Sequence, residues 1–456
     1  MAGRVMIAGT HSGCGKTTVS CAVMAALAAS GRQVAAFKCG PDYIDPMFHR
    51  KASGLDSRNL DIFLMGEAGV QASLARHSAG SDIAILEAVM GFYDGQGSGG
   101  QASSWHISQA TRTPVVLVVD VRGAALSVCA TIQGFLDFDD NRICAVILNG
   151  TTESGFPYYR QMIEERLSMP VIGYLPFIAE AAIESRQLGL VTAQEIADIQ
   201  EKLALLGQAA SRSIDLEALC AIAEAAPPLE DPVPMPPLEP GDRTVRLAVS
   251  RDEAFCFYYE DNHELFEMLG AELCFFSPLT DQGLPPDVDG LVLWGGYPEL
   301  WARQLEANAG MRASVLAAVA AGLPTYAECG GYIYLQQALT DLEGQEFSMV
   351  GALPGSARVT DRLQGFGYTE LTARRDNLLS PAGWQINSHF FHYTKSDLTG
   401  DGFLGRRSSG ATSDCVVVTD SIVAGHQHLH FGSYPAFARN FLDACYDYKR
   451  RHTWIT

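Results

Sequence analysis

The chain contains no C-x-x-C pair, although 11 cysteines are scattered through its 456 residues. That spacing argues against a structural zinc site and against the disulfide framework of a small secreted domain, and it suits a reducing compartment. Positive charge is scarce: 32 Lys and Arg face 52 Asp and Glu, for a formal net charge of −20. Such a deficit weighs against a nucleic-acid partner and against an anionic membrane surface. Long hydrophobic runs are missing too, since PVVLVVDV at 114–121 is far too short to span a bilayer. The opening MAGRVMIAGT has no charged stretch followed by a cleavage site, so no signal peptide and a cytoplasmic location are expected. There is no internal repeat, and the one low-complexity stretch, GQGSGGQASS at 95–104, reads as a mobile loop.

What is present is an ordinary globular composition, 47% hydrophobic, in a chain long enough for two or three domains. One break stands out. Seven of the 21 prolines fall in PPLEDPVPMPPLEP at 227–240, which cannot join a helix or a sheet interior. We therefore expect domains at 1–226 and 243–456, joined by a stiff linker at 227–242. Near-continuous apolar runs at 4–9, 33–38, 82–88, 114–120, 142–149 and 170–175 read as strands buried on both faces, with helical patterns between them. VRLAVS, AELCFFS, DGLVLWGG and GLPTYAE repeat that logic after the linker. The fold class expected is α/β, as two doubly wound domains.

GTHSGCGKTT follows the first strand and opens a helix, as a phosphate loop must. Its glycines, Gly13 and Gly15 among them, let backbone N–H groups wrap phosphates; Lys16 adds a point charge, and Thr17 and Thr18 add hydroxyls. Five residues rather than four separate Gly9 from Gly15, so the spacing is a variant one. The alternative is a glycine-rich turn with a surface lysine. Asp42 and Asp45 in KCGPDYIDP, and Glu87 and Asp94 in LEAVMGFYDG, sit where parallel strands end, beside such a loop. Each alone reads equally well as a solvated acid or a helix cap. Together they point to a magnesium nucleotide, with Thr17 presenting its hydroxyl to the metal.

The second motif is AECGG at 327–331, between a strand and a helix. A nucleophile elbow needs small residues two positions either side of the nucleophile, and Ala327 and Gly331 meet that need around Cys329. A helix N-terminus favours the thiolate. WGGYPEL at 294–300 offers a second glycine-rich turn, so the N–H groups of Gly296 and Gly330 form a candidate oxyanion hole. Histidines for a base cluster in HFFHY at 389–393 and HQHLHF at 426–431. On a strand, the latter alternation would turn three imidazoles to one face, which leaves a zinc site as an alternative.

These blocks resemble the cobyrinic acid a,c-diamide synthases over essentially the whole chain: KCGPDYIDPMFH, LEAVMGFYDG, FCFYYEDN, WGGYPEL, YAECGGYIYL and LHFGSYPAF. The first half is similar to dethiobiotin-synthetase-type ATPases, which share the longer loop spacing, and the second to class I glutamine amidotransferases. The resemblance implies that Cys329 hydrolyses glutamine with His430 as general base. Triad-type members carry a glutamate two residues after that histidine; position 432 is Gly, so a Cys–His dyad is expected. It further implies MgATP as cofactor with Asp45 and Glu87 beside Thr17 on the metal, an acyl phosphate formed on a tetrapyrrole acetate, and Asn149 at the adenine edge. Asp42 and Asp94 would bind Mg²⁺ or orient the substrate carboxylate. ATP, L-glutamine and the tetrapyrrole are the implied partners, with a homodimer left open as the assembly. Asn387, Ser388, Phe390, Gln187 and Gly150 depart from the family pattern. The departures keep open another uroporphyrinoid, sirohaem or nickel-sirohydrochlorin, as substrate. Cobyric acid synthase chemistry and a non-catalytic nucleotide switch are the remaining alternatives.

Overall fold

The computed structural model describes residues 2–97, 99–182, 185–186, 189–190, 196, 198–229 and 244–453. Gln187 and nearly all of the proline-rich stretch therefore lie outside the described residues. Internal contacts divide the chain into two compact units, residues 1–62 with 66–235, and residues 63–65 with 236–456.

The first unit is built on seven strands: β1 (Gly3–Gly9), β2 (Val34–Cys39), β3 (Arg58–Leu60), β4 (Ile83–Glu87), β5 (Val115–Asp120), β6 (Ile143–Asn149) and β7 (Val171–Leu175). Their order is β3-β2-β4-β1-β5-β6-β7, and every neighbouring pair is parallel. All but β3 match the apolar runs seen in the sequence. With three residues, β3 is too short to give a hydrophobic pattern. Helix α1 (Lys16–Ala29) is apolar almost all round, because Val19, Val23, Met24 and Leu27 share a core with Leu203, Leu206 and Ala210 as well as with the sheet. Helix α2 (Ile44–Ser53) starts just beyond β2. The segment at 95–104 is bridged between Gln96 and Gln101, and a helix already begins at Ser104.

The second unit has a parallel sheet ordered Ala271–Phe276, Val245–Ser250, Gly290–Leu293, Thr325–Glu328, Ile422–Gly425, closed by an antiparallel edge at Val417–Val418. It also carries a five-stranded antiparallel sheet that the sequence reading did not anticipate, centred on Gly365–Ala373 and Gln385–His392. The burial of Gly365–Ala373 is interrupted by partly exposed residues rather than continuous, so the strand lacks the apolar run that identified the others. Its edge strand is His428–Leu429, two residues long and separated from Gly425 by only two residues. The histidine-rich segment thus crosses from one sheet to the other.

The elbow depends on close backbone approach. A Cβ at Gly331 would sit 2.3 Å from the Leu293 carbonyl oxygen, and one at Gly330 would sit 3.0 Å from the Gly296 nitrogen. We predict that Gly331→Ala destabilises the protein by about 1–3 kcal/mol through overpacking, read as a lower urea midpoint at unchanged slope.

Candidate active sites

In the first unit, the chain leaves β1, turns through Gly13 (φ 84°) and Gly15 (φ 96°), and enters α1 at Lys16. Both glycines are left-handed, which a side chain disfavours. The Lys16 ammonium donates to the His11 carbonyl at 3.0 Å within the loop. Thr17 follows with its hydroxyl 2.7 Å from Glu87 Oε1, at the end of β4.

Glu87 is fully buried and anchors a lattice that the sequence reading missed. Lys38 Nζ, at the end of β2, donates to Glu87 Oε1 at 2.9 Å, to the Ala88 carbonyl at 3.1 Å and to Asp45. His49 Nε2 donates to Glu87 Oε2 at 2.6 Å, and its other nitrogen meets Ser57 at 3.0 Å. Burial alone would neutralise both Lys38 and Glu87. The carboxylates of Asp45 and Glu87 instead hold Lys38 above its ordinary range, and Lys38 and His49 hold Glu87 well below its own. Burial pushes Asp45 up against the pull of Lys38. One signal was available in the sequence: Asp45 and His49 are four residues apart on one helix, hence on one face.

Asp42, Asp94 and Asn149 each hold a nearby turn or loop. Asp42 Oδ1 accepts from the backbone N–H groups of Ile44 (2.8 Å) and Asp45 (2.9 Å), holding the start of α2. Asp94 Oδ2 accepts from Gly91 N–H at 2.8 Å and fixes that turn. Asn149, expected at an adenine edge, uses one end of its amide within the protein. Its Nδ2 donates to the Cys14 carbonyl at 2.9 Å, and a Cβ at Gly15 would lie 2.1 Å from that nitrogen. Asn149 braces the phosphate loop from β6.

In the second unit, Cys329 ends the strand Thr325–Glu328 with φ 42° and ψ −102°, a conformation that costs a non-glycine residue about 1–3 kcal/mol. It is held there because Cys329 N–H donates to the Gly425 carbonyl at 2.7 Å and Ile333 N–H donates to the Cys329 carbonyl at 3.0 Å. The glycine turn at 295–296 lies against the first residue of the following helix, so Gly296 and Gly330 are neighbours.

The imidazole at Cys329 is that of His428, not His430. His428 hydrogen-bonds Cys329, and its Nδ1 lies 3.1 Å from Glu328 Oε2. His430 packs at a tilt against Tyr259, 5.0 Å between ring centroids, and faces Asp261 at 4.0 Å. The expected histidine is displaced by two residues because the strand His428–Leu429 begins immediately after the crossover, so the alternation does not bring all three rings to one site. His426 stacks on His392 at 3.8 Å. Among the described residues no group of three or more His, Cys, Asp or Glu is placed to hold a metal. The zinc alternative loses its ligands.

Glu328 was also missed, and it is the acid that position 432 lacks. Buried to 1% exposure, it accepts from Leu429 N–H at 2.9 Å and from the Tyr326 hydroxyl, leaving Oε2 for His428. Burial disfavours a charged His428, yet the hydrogen bonds and charges of Cys329 and Glu328 lift it to about 10. Asn262 holds the same segment, donating to the Leu429 carbonyl and accepting from Phe431 N–H, both at 2.8 Å.

Comparisons with known proteins agree with this division. Residues 5–190 match the CobQ/CobB/MinD/ParA nucleotide binding domain, and residues 246–436 match the CobB/CobQ-like glutamine amidotransferase domain. The chain is 38% identical over 434 residues to a cobyrinate a,c-diamide synthase of Clostridium tetani, covering 94% of this chain and 96% of that one. It is 39% identical to the Clostridium acetobutylicum protein of the same name, covering 94% and 97%. A Dehalococcoides mccartyi relative, also so named, is 37% identical over 98% of both chains.

Two predictions follow from the geometry. Lys38→Met leaves Asp45 and Glu87 buried without their cation, so unfolding in urea should show a loss of about 3–5 kcal/mol. His389 is depressed to about 3 by burial and the nearby His428 charge. A histidine held below its ordinary value of about 6.5 contributes stability that is full above that pH and is lost as pH falls toward 3. Between pH 7 and 5, wild type should therefore lose about 2 kcal/mol more than His389→Leu, read from urea midpoints at each pH.

Proposed function

The chain belongs to the cobyrinate a,c-diamide synthase family, and on that footing we propose that it converts tetrapyrrole acetate groups into amides, using MgATP and the amide nitrogen of L-glutamine. The observation that carries this reading is the thiol of Cys329, held at a strained turn against His428, which Glu328 orients. That arrangement is suited to acyl transfer from a carboxamide.

In the second unit, Cys329 Sγ passes its proton to His428 and attacks the carboxamide carbon of glutamine. The oxygen that gains charge is directed to the N–H groups of Gly296 and Gly330. His428 gives its proton to the departing ammonia, leaving a thioester on Cys329. It then takes a proton from the water that hydrolyses the thioester, releasing glutamate and restoring the thiol.

In the first unit, a substrate carboxylate oxygen attacks the γ-phosphorus of ATP. ADP leaves, and the acyl phosphate gives the acid carbon a leaving group that ammonia can displace. The hydroxyl of Thr17 and the carboxylate of Glu87 are close together and are oxygen donors of the kind a hard divalent ion takes. Thr17 and Glu87 would hold Mg²⁺, which would neutralise phosphate charge; Asp45, also expected on the metal, is paired with Lys38 instead. Lys16 and the loop amides position the phosphates, Asn149 keeps the loop in shape, and the buried Lys38 keeps Glu87 ionised.

We assign the a and c acetates of cobyrinic acid as the amidated groups. Full-length similarity to proteins of that name supports this assignment, whereas nothing comparable favours sirohaem or nickel-sirohydrochlorin. No described helix is long and apolar enough to cross a membrane, and we place the reaction in the cytoplasm.

Glutamine- and ammonium-dependent amidation measured side by side test the roles. Cys329→Ala should abolish the first and leave the second intact. His428→Asn should lower glutamine-dependent turnover by about 10²–10⁴-fold, while His430→Asn should retain most of it. The opposite ranking of the two histidines would contradict the assignment.

A further inference from the structure

Cys329 opens onto a narrow cleft that is also lined by Gly296, Tyr297, Glu299 and His392. Apart from Thr394 the remaining walls are aromatic and aliphatic, and no lysine or arginine lines them. Glu299 lies on the short helical turn Pro298–Trp301 that follows the Gly296 amide. Among the described residues its carboxylate has no ion pair and no side-chain hydrogen bond, and its one hydrogen-bonding contact is its own backbone N–H. His392 offers it no counter-charge, because burial lowers that imidazole and leaves it neutral. A carboxylate in such surroundings is poorly solvated and is pushed up to about 7.

A half-buried acid without a partner, beside a nucleophile, is costly unless something bound there compensates it. The cleft's chemistry defines that group. It must be a cation, carried on a molecule that also presents a carbonyl carbon to Cys329 and its oxygen to Gly296. Resting on the glutaminase reading above, we propose that Glu299 is the subsite for the α-ammonium group of L-glutamine and thereby selects an amino-acid amide over a simple carboxamide. The ammonium donates to the carboxylate, and the apolar walls exclude the water that would otherwise weaken the pair. Glu299 takes no part in proton transfer. Gly296 and Glu299 are three residues apart, so one turn holds both the reacting end and the recognised end of the substrate.

The test compares L-glutamine with glutaramate, the same carboxamide acid without its α-amino group, by following ammonia release from the full chain. Wild type should favour L-glutamine. Glu299→Gln, nearly isosteric, should lose about 10–100-fold in kcat/KM for L-glutamine, as expected for a hydrogen bond to a charged group, and nothing for glutaramate. Discrimination then collapses. Equal losses on both donors, or no loss on either, would overturn the subsite. If Glu299→Gln does not fold, the wild-type ratio decides: a preference of about tenfold or more supports the assignment, and equal use of the two donors removes it. Absence of ammonia release from L-glutamine by wild type would instead sink the glutaminase reading, and this subsite with it.

Discussion

Each site depends on a parallel strand followed by a helix whose first residue is preceded by a residue with positive φ. At the first, Gly15 takes φ 96° and puts Lys16 and Thr17 at the head of α1. At the second, Cys329 takes φ 42°, and the residue under strain is the reactive one. Glycine adopts that conformation at no steric cost and a cysteine does not, so the second turn has to be over-determined by its surroundings. Two backbone hydrogen bonds and a pair of glycines without room for a side chain supply that support. The thiol is consequently fixed in place before any substrate arrives.

A buried glutamate organises the groups around each turn. Glu87 ends β4 and receives Thr17, Lys38 and His49; Glu328 ends its own strand and receives Tyr326, His428 and the Leu429 N–H. A carboxylate buried without partners would take up a proton, but Lys38 and His49 hold Glu87 well below its ordinary range, and each glutamate favours the charged form of the base beside it. In the first unit it keeps Lys38 charged where phosphates are to be handled. In the second it keeps His428 protonated beside the sulfur, ready to give a proton to departing ammonia. The same device serves phosphoryl transfer in one unit and acyl transfer in the other.

Most of the parallel strands and both motifs were readable from residues alone, since buried strands are apolar throughout and glycines mark the turns; β3 and Ile422–Gly425 were not. The antiparallel sheet was not, because Gly365–Ala373 mixes glycine, threonine, tyrosine and glutamate on a surface buried on one side only. HQHLHF misled for a related reason. Strict alternation presumes one continuous strand, whereas this segment changes sheets at Gly425 and begins a new one at His428. Lys38 escaped notice because acids were sought for a metal, while the cation already between them lay in a strand. Asn149 sits where the family resemblance suggested, but its amide is engaged by a loop 135 residues away in sequence, a contact no local pattern reveals.

The central claim, that glutamine nitrogen released at Cys329 becomes amide nitrogen on a corrinoid, is tested most directly by mass spectrometry. The enzyme is given ATP, Mg²⁺ and L-glutamine labelled at its amide nitrogen, with cobyrinic acid and sirohaem offered in parallel. The account predicts two labelled amides on cobyrinic acid and none on sirohaem. Label in sirohaem alone, or an unlabelled corrinoid while glutamine is consumed, would contradict it.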